Sequence, residues 1–199
     1  GLHTVEISTE SEAEHEALRK LLVKKTAESN SLYFKLSKLI PRQAKVYVGN
    51  SLPIREWDRW AARNHVTMVE ANRGVNGIDG QISTALGLAF SDDELWVIVG
   101  DLTALYDLNS LWAPKPKRLR IVVVNNGGGQ IFSKLATVAE SPTGAVAFIN
   151  SHSRNLKGFA ELWGLGYRSV LAESLGDAEL ANIQDQLVIE IFEDVKAVQ

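Results

Sequence analysis

The sequence predicts an α/β fold: a doubly wound, mostly parallel six-stranded sheet with helices on both faces. Three observations carry that expectation. Residues 95–99 (LWVIV) and 119–124 (LRIVVV) are short runs dominated by Val, Ile and Leu, as in strands buried on both faces. Segments with helical spacing alternate with further short β-branched runs along the chain, the pattern of successive βα units. Each of the two apolar runs also ends in a side chain able to ligate a hard cation, Asp101 after the first and Asn125 and Asn126 after the second. The carboxyl ends of parallel strands are where such sheets place their ligands.

Taken in order, residues 1–10 read as a linker or expression remnant and 11–199 as one domain. Ser11 and Glu14 form a capping pair for a first helix that carries Leu18, Leu21 and Leu22 at helical spacing, read as scaffolding. Residues 31–40 form a second amphipathic helix, with Leu32, Leu36, Leu39 and Ile40 on one side and Pro41 as its stop. KVYV at 45–48 is a first strand and GNS at 49–51 its turn; Ser51 is placed to cap a helix through Ile54, Trp57 and Trp60, with Pro53 in its first turn. Arg55 lies in that first turn, where a cation opposes the helix dipole. Such a residue suits an anionic ligand, and an exposed arginine explains it as well.

Residues 66–69 read as a second strand. The glycines at 74, 77 and 80 then allow close approach of backbone to a ligand and lead into a helix with the small residues Ser83, Ala85, Gly87 and Ala89. The spacing is not GxGxxG, so a Rossmann dinucleotide site is disfavoured. A crossover helix is expected over 102–112, leaving through APKPK at 113–117. Residues 137–153 read as a mobile loop over the site, 155–163 as a helix with Leu156, Phe159, Ala160 and Trp163 inward, and 167–170, a helix near 178–183 and LVIEIF at 187–192 as the last elements.

Composition limits the function. The net charge of -3 and pI near 5.8 give no electrostatic case for nucleic acid; Lys115, Lys117, Arg118 and Arg120 read as a solvated loop and strand start. No apolar run reaches 18 residues, so membrane insertion is not expected and a cytoplasmic location follows by default. There is no cysteine, which excludes thiolate metal sites. His3, His15, His65 and His152 lack the spacing of a zinc helix. Met68 is the only methionine, and a piece of a longer protein is expected.

Asp101 and Asn126 would present a carboxylate and an amide oxygen beside a Gly-rich turn, hard oxygens suited to Mg²⁺ that keeps phosphate oxygens in its shell. On the residues alone, an Asp at a helix cap and two Asn in a turn fit the same pattern. The full motifs are more specific. GDLTALYDLN at 100–109 with VVVNNGGGQIF at 122–132, GNSLPIR at 49–55 and NRGVNGIDG at 72–80 together resemble the C-terminal diphosphate-binding domain of one thiamine-diphosphate enzyme family. That family is 2-succinyl-5-enolpyruvyl-6-hydroxy-3-cyclohexene-1-carboxylate (SEPHCHC) synthase of menaquinone biosynthesis. The resemblance implies a transferase that decarboxylates 2-oxoglutarate and adds the succinyl-semialdehyde carbanion equivalent to isochorismate.

The resemblance further implies that Asp101, Asn126 and the Gly128 carbonyl hold Mg²⁺ (or Mn²⁺) on thiamine diphosphate. Asn50 and Ser51 would lie against the diphosphate, Ile78 under the bent cofactor, and Gly100, Leu102, Thr103, Gln130 and Ile131 around it. Arg55 and Arg73 would pair with substrate carboxylates, and Ile131, Phe132 and Leu135 would line the isochorismate pocket. No catalytic residue is expected in this chain: the activating glutamate belongs to a pyrimidine-binding domain, which with the central domain lies outside these 199 residues. The site would be completed by that domain of a second subunit in a homodimer or homotetramer, and the chain alone is expected to be inactive. Leu102 in place of the usual third glycine and NNG at 125–127 in place of NNN depart from the family pattern, so a third asparagine's contact is absent or made by backbone; a slightly shortened connection from Asp101 to the asparagines leaves the packing of the 112–117 exit open. Another thiamine-diphosphate enzyme, acetolactate-synthase-like or a 2-oxo acid decarboxylase, and a non-catalytic binding module of the same fold are the alternatives.

Overall fold

The computed structural model describes residues 9–63, 65–66, 68–89, 93–133, 135, 138, 140–176 and 185–193. The linker reading of residues 1–8 and the helix expected near 178–183 lie outside them. Six parallel strands form one sheet: β1 Lys45–Val48, β2 Met68–Glu70, β3 Glu94–Gly100, β4 Arg118–Asn125, β5 Gly166–Leu171 and β6 Gln186–Phe192, in the order β2-β1-β3-β4-β6-β5. From β1 the chain winds outward to β2 and then returns to β1's other side as β3. The order therefore reverses between β1 and β3, and a crevice opens there above their carboxyl ends.

Both faces of the sheet are apolar because successive residues of a strand point to opposite sides. One face, with Val46, Val48, Trp96, Ile98, Val122, Val124, Ile189 and Ile191, packs on α2 Leu32–Leu39 and α3 Leu52–Trp60 through Tyr33, Leu36 and Trp57. The other face, with Tyr47, Val97, Val99, Ile121, Val123 and Val188, packs on α4 Gln81–Gly87, α5 Asp101–Tyr106 and α7 Lys157–Leu162. Fully burying such Val, Leu and Ile side chains contributes about 1.5–3 kcal/mol each. The doubly wound reading of the sequence is borne out.

Several local expectations are corrected. The first helix, α1 Thr9–Glu28, is already under way at Ser11, ahead of the start expected from the capping pair. Its Leu18, Leu21 and Leu22 are each about half exposed and are not core. The expected crossover helix breaks at Asp107: α5 ends at Tyr106, and one 3₁₀ turn, Ser110–Trp112, follows. The carboxylate of Asp107 is turned instead onto the start of α4, accepting from the Gly80 and Ile82 amides at 2.6 Å each. It thereby satisfies donors that every helix start leaves open. The exit beyond is held by an edge-on Trp112–Trp163 pair, 5.4 Å between centroids, and by the Gln186 amide donating to the Pro116 carbonyl. Residues 142–149, expected as part of a loop, form α6 Pro142–Ile149, with the Ser141 hydroxyl accepting from the Gly144 amide as its cap. Ser83, Ala85, Gly87 and Ala89 do not make one face, because alternate residues diverge on a helix; α4 instead buries Ile82, Ala85 and Leu86.

Candidate functional site at the strand tips

The carboxyl ends of β1, β3 and β4 open into a cavity of about 730 Å³. Asp101, Asn126 and Gly128 all line it, so the two motifs, 25 positions apart in the chain, meet in space. They meet by direct contact. The Gly128 amide donates to Asp101 Oδ2 at 2.8 Å, while the Leu102 amide donates to Oδ1 at 2.7 Å. Asp101 is 3 % exposed. Burial pushes its carboxyl above the ordinary carboxylate value, against the pull of the two amides and His152. A buried carboxylate with a neighbouring amide oxygen and a turn carbonyl is a hard-oxygen donor set that fits Mg²⁺ or Mn²⁺. Among the described residues there is no group of three His, Cys, Asp or Glu that could hold a metal, so any cation here would need the amide and carbonyl oxygens.

Asn125 and Asn126 divide their work. Asn126 faces the cavity. Asn125 is buried, donating through Nδ2 to Glu190 Oε1 (2.6 Å) and the Arg154 carbonyl (2.9 Å) and accepting at Oδ1 from the Gly127 amide (3.1 Å). Glu190, wholly buried in β6, also accepts from the Leu156 amide at 2.8 Å and the Tyr167 hydroxyl at 2.7 Å. Its presence in the apolar run LVIEIF is the sequence signal for this cluster, since a buried carboxylate must find donors.

At the β1 tip, Ser51 lines the cavity but does not cap α3 with its side chain: its backbone sits at φ 72°, ψ -132°. Such a conformation costs a non-glycine residue about 1–3 kcal/mol and is typical of ligand sites. Asn50 is corrected in orientation. It is 1 % exposed and does not line the cavity. Its Nδ2 donates to the Val75 and Gly77 carbonyls at 2.8 Å each, and its Oδ1 accepts from Arg73 at 2.8 Å. Gln81, not singled out in the sequence, completes this clamp: its Oε1 accepts from the Tyr47 hydroxyl (2.8 Å) and the Asn50 amide (3.2 Å), and its Nε2 donates to the Gly77 carbonyl (3.1 Å). Asn50 thus holds the loop that presents Ile78 rather than touching the cavity.

Ile78, Gly100, Leu102 and Thr103 line the cavity, as do Gln130, Ile131 and Phe132. Phe132 is backed by Phe148 at 5.9 Å. Leu135 does not line it and is 49 % exposed, because the turn after Phe132 carries it outward. Arg55 and Arg73 are both exposed cations on the cavity wall; Arg55 is held by donating to the Ser51 carbonyl at 2.8 Å. The cavity therefore combines Asp101 and Asn126 with the two arginines Arg55 and Arg73 in its lining.

No protein-family model matches the chain. A SEPHCHC synthase of Bdellovibrio bacteriovorus is 41 % identical over 191 residues, a match spanning 94 % of this chain and 35 % of that protein. By sequence, the chain is similar to SEPHCHC synthases over most of its own length. The Akkermansia muciniphila synthase is 39 % identical over 155 residues, 75 % of this chain and 29 % of its own. The Bacillus cytotoxicus synthase is 45 % identical over 123 residues, 60 % and 21 %. The chain spans about a third or less of the length of these curated relatives. Among solved structures, benzoylformate decarboxylase from Polynucleobacter necessarius superposes with a TM-score of 0.65 at 13 % identity, over 82 % of this chain and 32 % of that one; this likeness speaks for the fold. No helix among the described residues is long and apolar enough to cross a membrane.

Proposed function

We propose that this chain is the diphosphate- and metal-binding domain of a thiamine-diphosphate-dependent SEPHCHC synthase, which decarboxylates 2-oxoglutarate and joins the remaining four-carbon unit to isochorismate. The observation that carries this reading is the meeting of Asp101, Asn126 and Gly128 on one cavity, tied by the Gly128–Asp101 hydrogen bond. Asp101, the Asn126 amide oxygen and the Gly128 carbonyl would hold Mg²⁺ or Mn²⁺, and Ser51 and Gln130 would flank the diphosphate. When bound, thiamine diphosphate supplies the electron sink for decarboxylation. The chain's own residues orient and desolvate: Ile78, Ile131 and Phe132 exclude water from the cavity, and Arg55 and Arg73 offer charge-assisted hydrogen bonds to carboxylates. The activating glutamate would come from the pyrimidine-binding domain of a second subunit, so the 199-residue chain alone is expected to show no turnover. Measurable carboligation by it would overturn that part of the reading.

In the full-length protein, Arg55→Ala and Arg73→Ala are each expected to raise KM for 2-oxoglutarate or isochorismate about 10–100-fold, the equivalent of losing one charged hydrogen bond. Thiamine diphosphate affinity should fall by less than these KM values rise, since neither cation is assigned to the diphosphate and each reaches it only through Ser51 or Asn50. Unchanged KM values for both acids would sink the substrate assignment while leaving the cofactor assignment standing.

The raised Asp101 carboxyl gives a pH dependence of known sign. A carboxyl raised in the fold lends stability below its ordinary value of 3.8, and that stability is lost as pH rises through the raised value. Above the raised value the metal-free protein carries the cost of a buried charge, and a cation binding the ionised form removes it. The gain in Tm on adding Mg²⁺ with thiamine diphosphate is therefore expected to grow as pH rises from the ordinary carboxylate value through the raised one. Differential scanning fluorimetry checks this, and a gain that grows as pH falls would contradict the assignment of Asp101 to the cation.

A further inference from the structure

Beside the Asp101 cluster lies a histidine to which neither the sequence motifs nor the proposed function assigns a task. The segment 149–154 runs along the turn 125–129 and is pinned to it: the Gly129 amide donates to the Ile149 carbonyl, the His152 amide to the Gly127 carbonyl at 3.1 Å, and Asn125 Nδ2 to the Arg154 carbonyl at 2.9 Å. This brings the His152 ring behind Asp101. The side chain of His152 is 10 % exposed, and its Nε2 stands 3.3 Å from Asp101 Oδ2. Asp101 lines the cavity and His152 does not.

The tautomer follows from the other ring nitrogen. His152 Nδ1 accepts from the Arg154 amide at 3.1 Å, so Nδ1 offers a lone pair and the ring proton resides on Nε2. That Nε2 is buried with no hydrogen-bond partner. An N–H cannot ligate a cation, and Asp101 Oδ2 is the oxygen beside it, near enough at 3.3 Å for a small rotation to complete a hydrogen bond that is not formed here. Carboxylates that hold metals are themselves oriented by such donors, and losing one typically weakens metal binding about 10–100-fold.

We propose that His152 is a positioning residue for Asp101: its Nε2–H, set by the Arg154 amide, steadies the carboxylate from behind and tightens divalent-cation binding at the cavity. This rests on the reading of Asp101 as a cation ligand.

The test is Mn²⁺ titration of the full-length protein in the presence of thiamine diphosphate, with free Mn²⁺ followed by electron paramagnetic resonance. His152→Phe keeps the ring's bulk without a donor, whereas His152→Gln sets an amide N–H near the position of Nε2. The Phe variant is expected to bind Mn²⁺ about tenfold more weakly, and the Gln variant to recover to within about threefold of the parent. At saturating Mn²⁺ the KM for 2-oxoglutarate should not move. Should the Phe variant fail to fold, Gln against Asn, whose amide is too short to reach, supplies the same contrast. Parental affinity in the donor-free variant, or equal loss in the donor-free and Gln variants, would overturn the proposal. A parent protein that takes up no Mn²⁺ would instead overturn the functional reading, and this inference with it.

Discussion

Alanine at Gly128 is expected to abolish Mg²⁺–thiamine diphosphate binding and to lower stability by about 2–6 kcal/mol, the sum of backbone strain and overpacking. Gly128 sits at φ 133°, a conformation open to glycine and strained for any side chain. A Cβ there would lie 2.6 Å from the Ile149 carbonyl oxygen and 3.0 Å from that of Asn150. Both are backbone atoms, and the first belongs to a residue hydrogen-bonded to Gly129, so neither can yield cheaply. Relief would have to come from moving the turn, which carries the Gly128 amide away from Asp101 Oδ2 and its carbonyl away from the cavity. Gly74→Ala is the matching control, because a Cβ there meets nothing within 4 Å. Denaturant unfolding and calorimetry with Mg²⁺ and thiamine diphosphate, both on the full-length protein, measure the two effects. Equal behaviour of the two variants would refute the claim that the turn depends on the absence of a side chain at 128.

Glu190→Ala should be the most damaging single change remote from the cavity, costing about 3–5 kcal/mol as buried donors lose their shared acceptor. Three donors would lose an acceptor: the Leu156 amide, the Tyr167 hydroxyl and Asn125 Nδ2, which would keep only the Arg154 carbonyl. Each orphaned buried donor costs about 1–3 kcal/mol before relaxation. The change also frees Asn125, which steadies the Gly127 amide, so metal affinity should fall along with stability. Glu190→Gln should lie between, because Gln still accepts from Leu156 and Tyr167 but turns an amide N–H toward Asn125. A Gln variant as damaged as the Ala variant would show that the charge, rather than the pattern of acceptors, matters.

How far the chain could be read in advance depended on the range of the interaction. β3 and β4 were legible because a strand buried on both faces must be apolar throughout, and Asp101 and Asn126 stood out as polar interruptions at their ends. The helices α2 and α3 were legible through spacing alone. The apolar stripe of α1 shares that spacing yet is half exposed, since periodicity states that a face exists and not what covers it. Asp107 ended its helix early because its carboxylate is used 27 positions back, at Gly80, and no local pattern announces such a partner. Asn50 was placed against the cavity by its neighbours in the motif, but its amide had three closer partners across the loop.

By itself the sequence determined the parallel sheet and the two strand tips that carry Asp101 and Asn126, because burial and turn chemistry act over a few residues. Only the tertiary structure decided which oxygens face the cavity, that Asn125 turns inward while Asn126 turns out, and that Glu190 and His152 stand behind the site. Those outcomes rest on hydrogen bonds between residues brought together by strand order, and the direction of a buried polar side chain is set by whichever donor or acceptor the fold delivers to it.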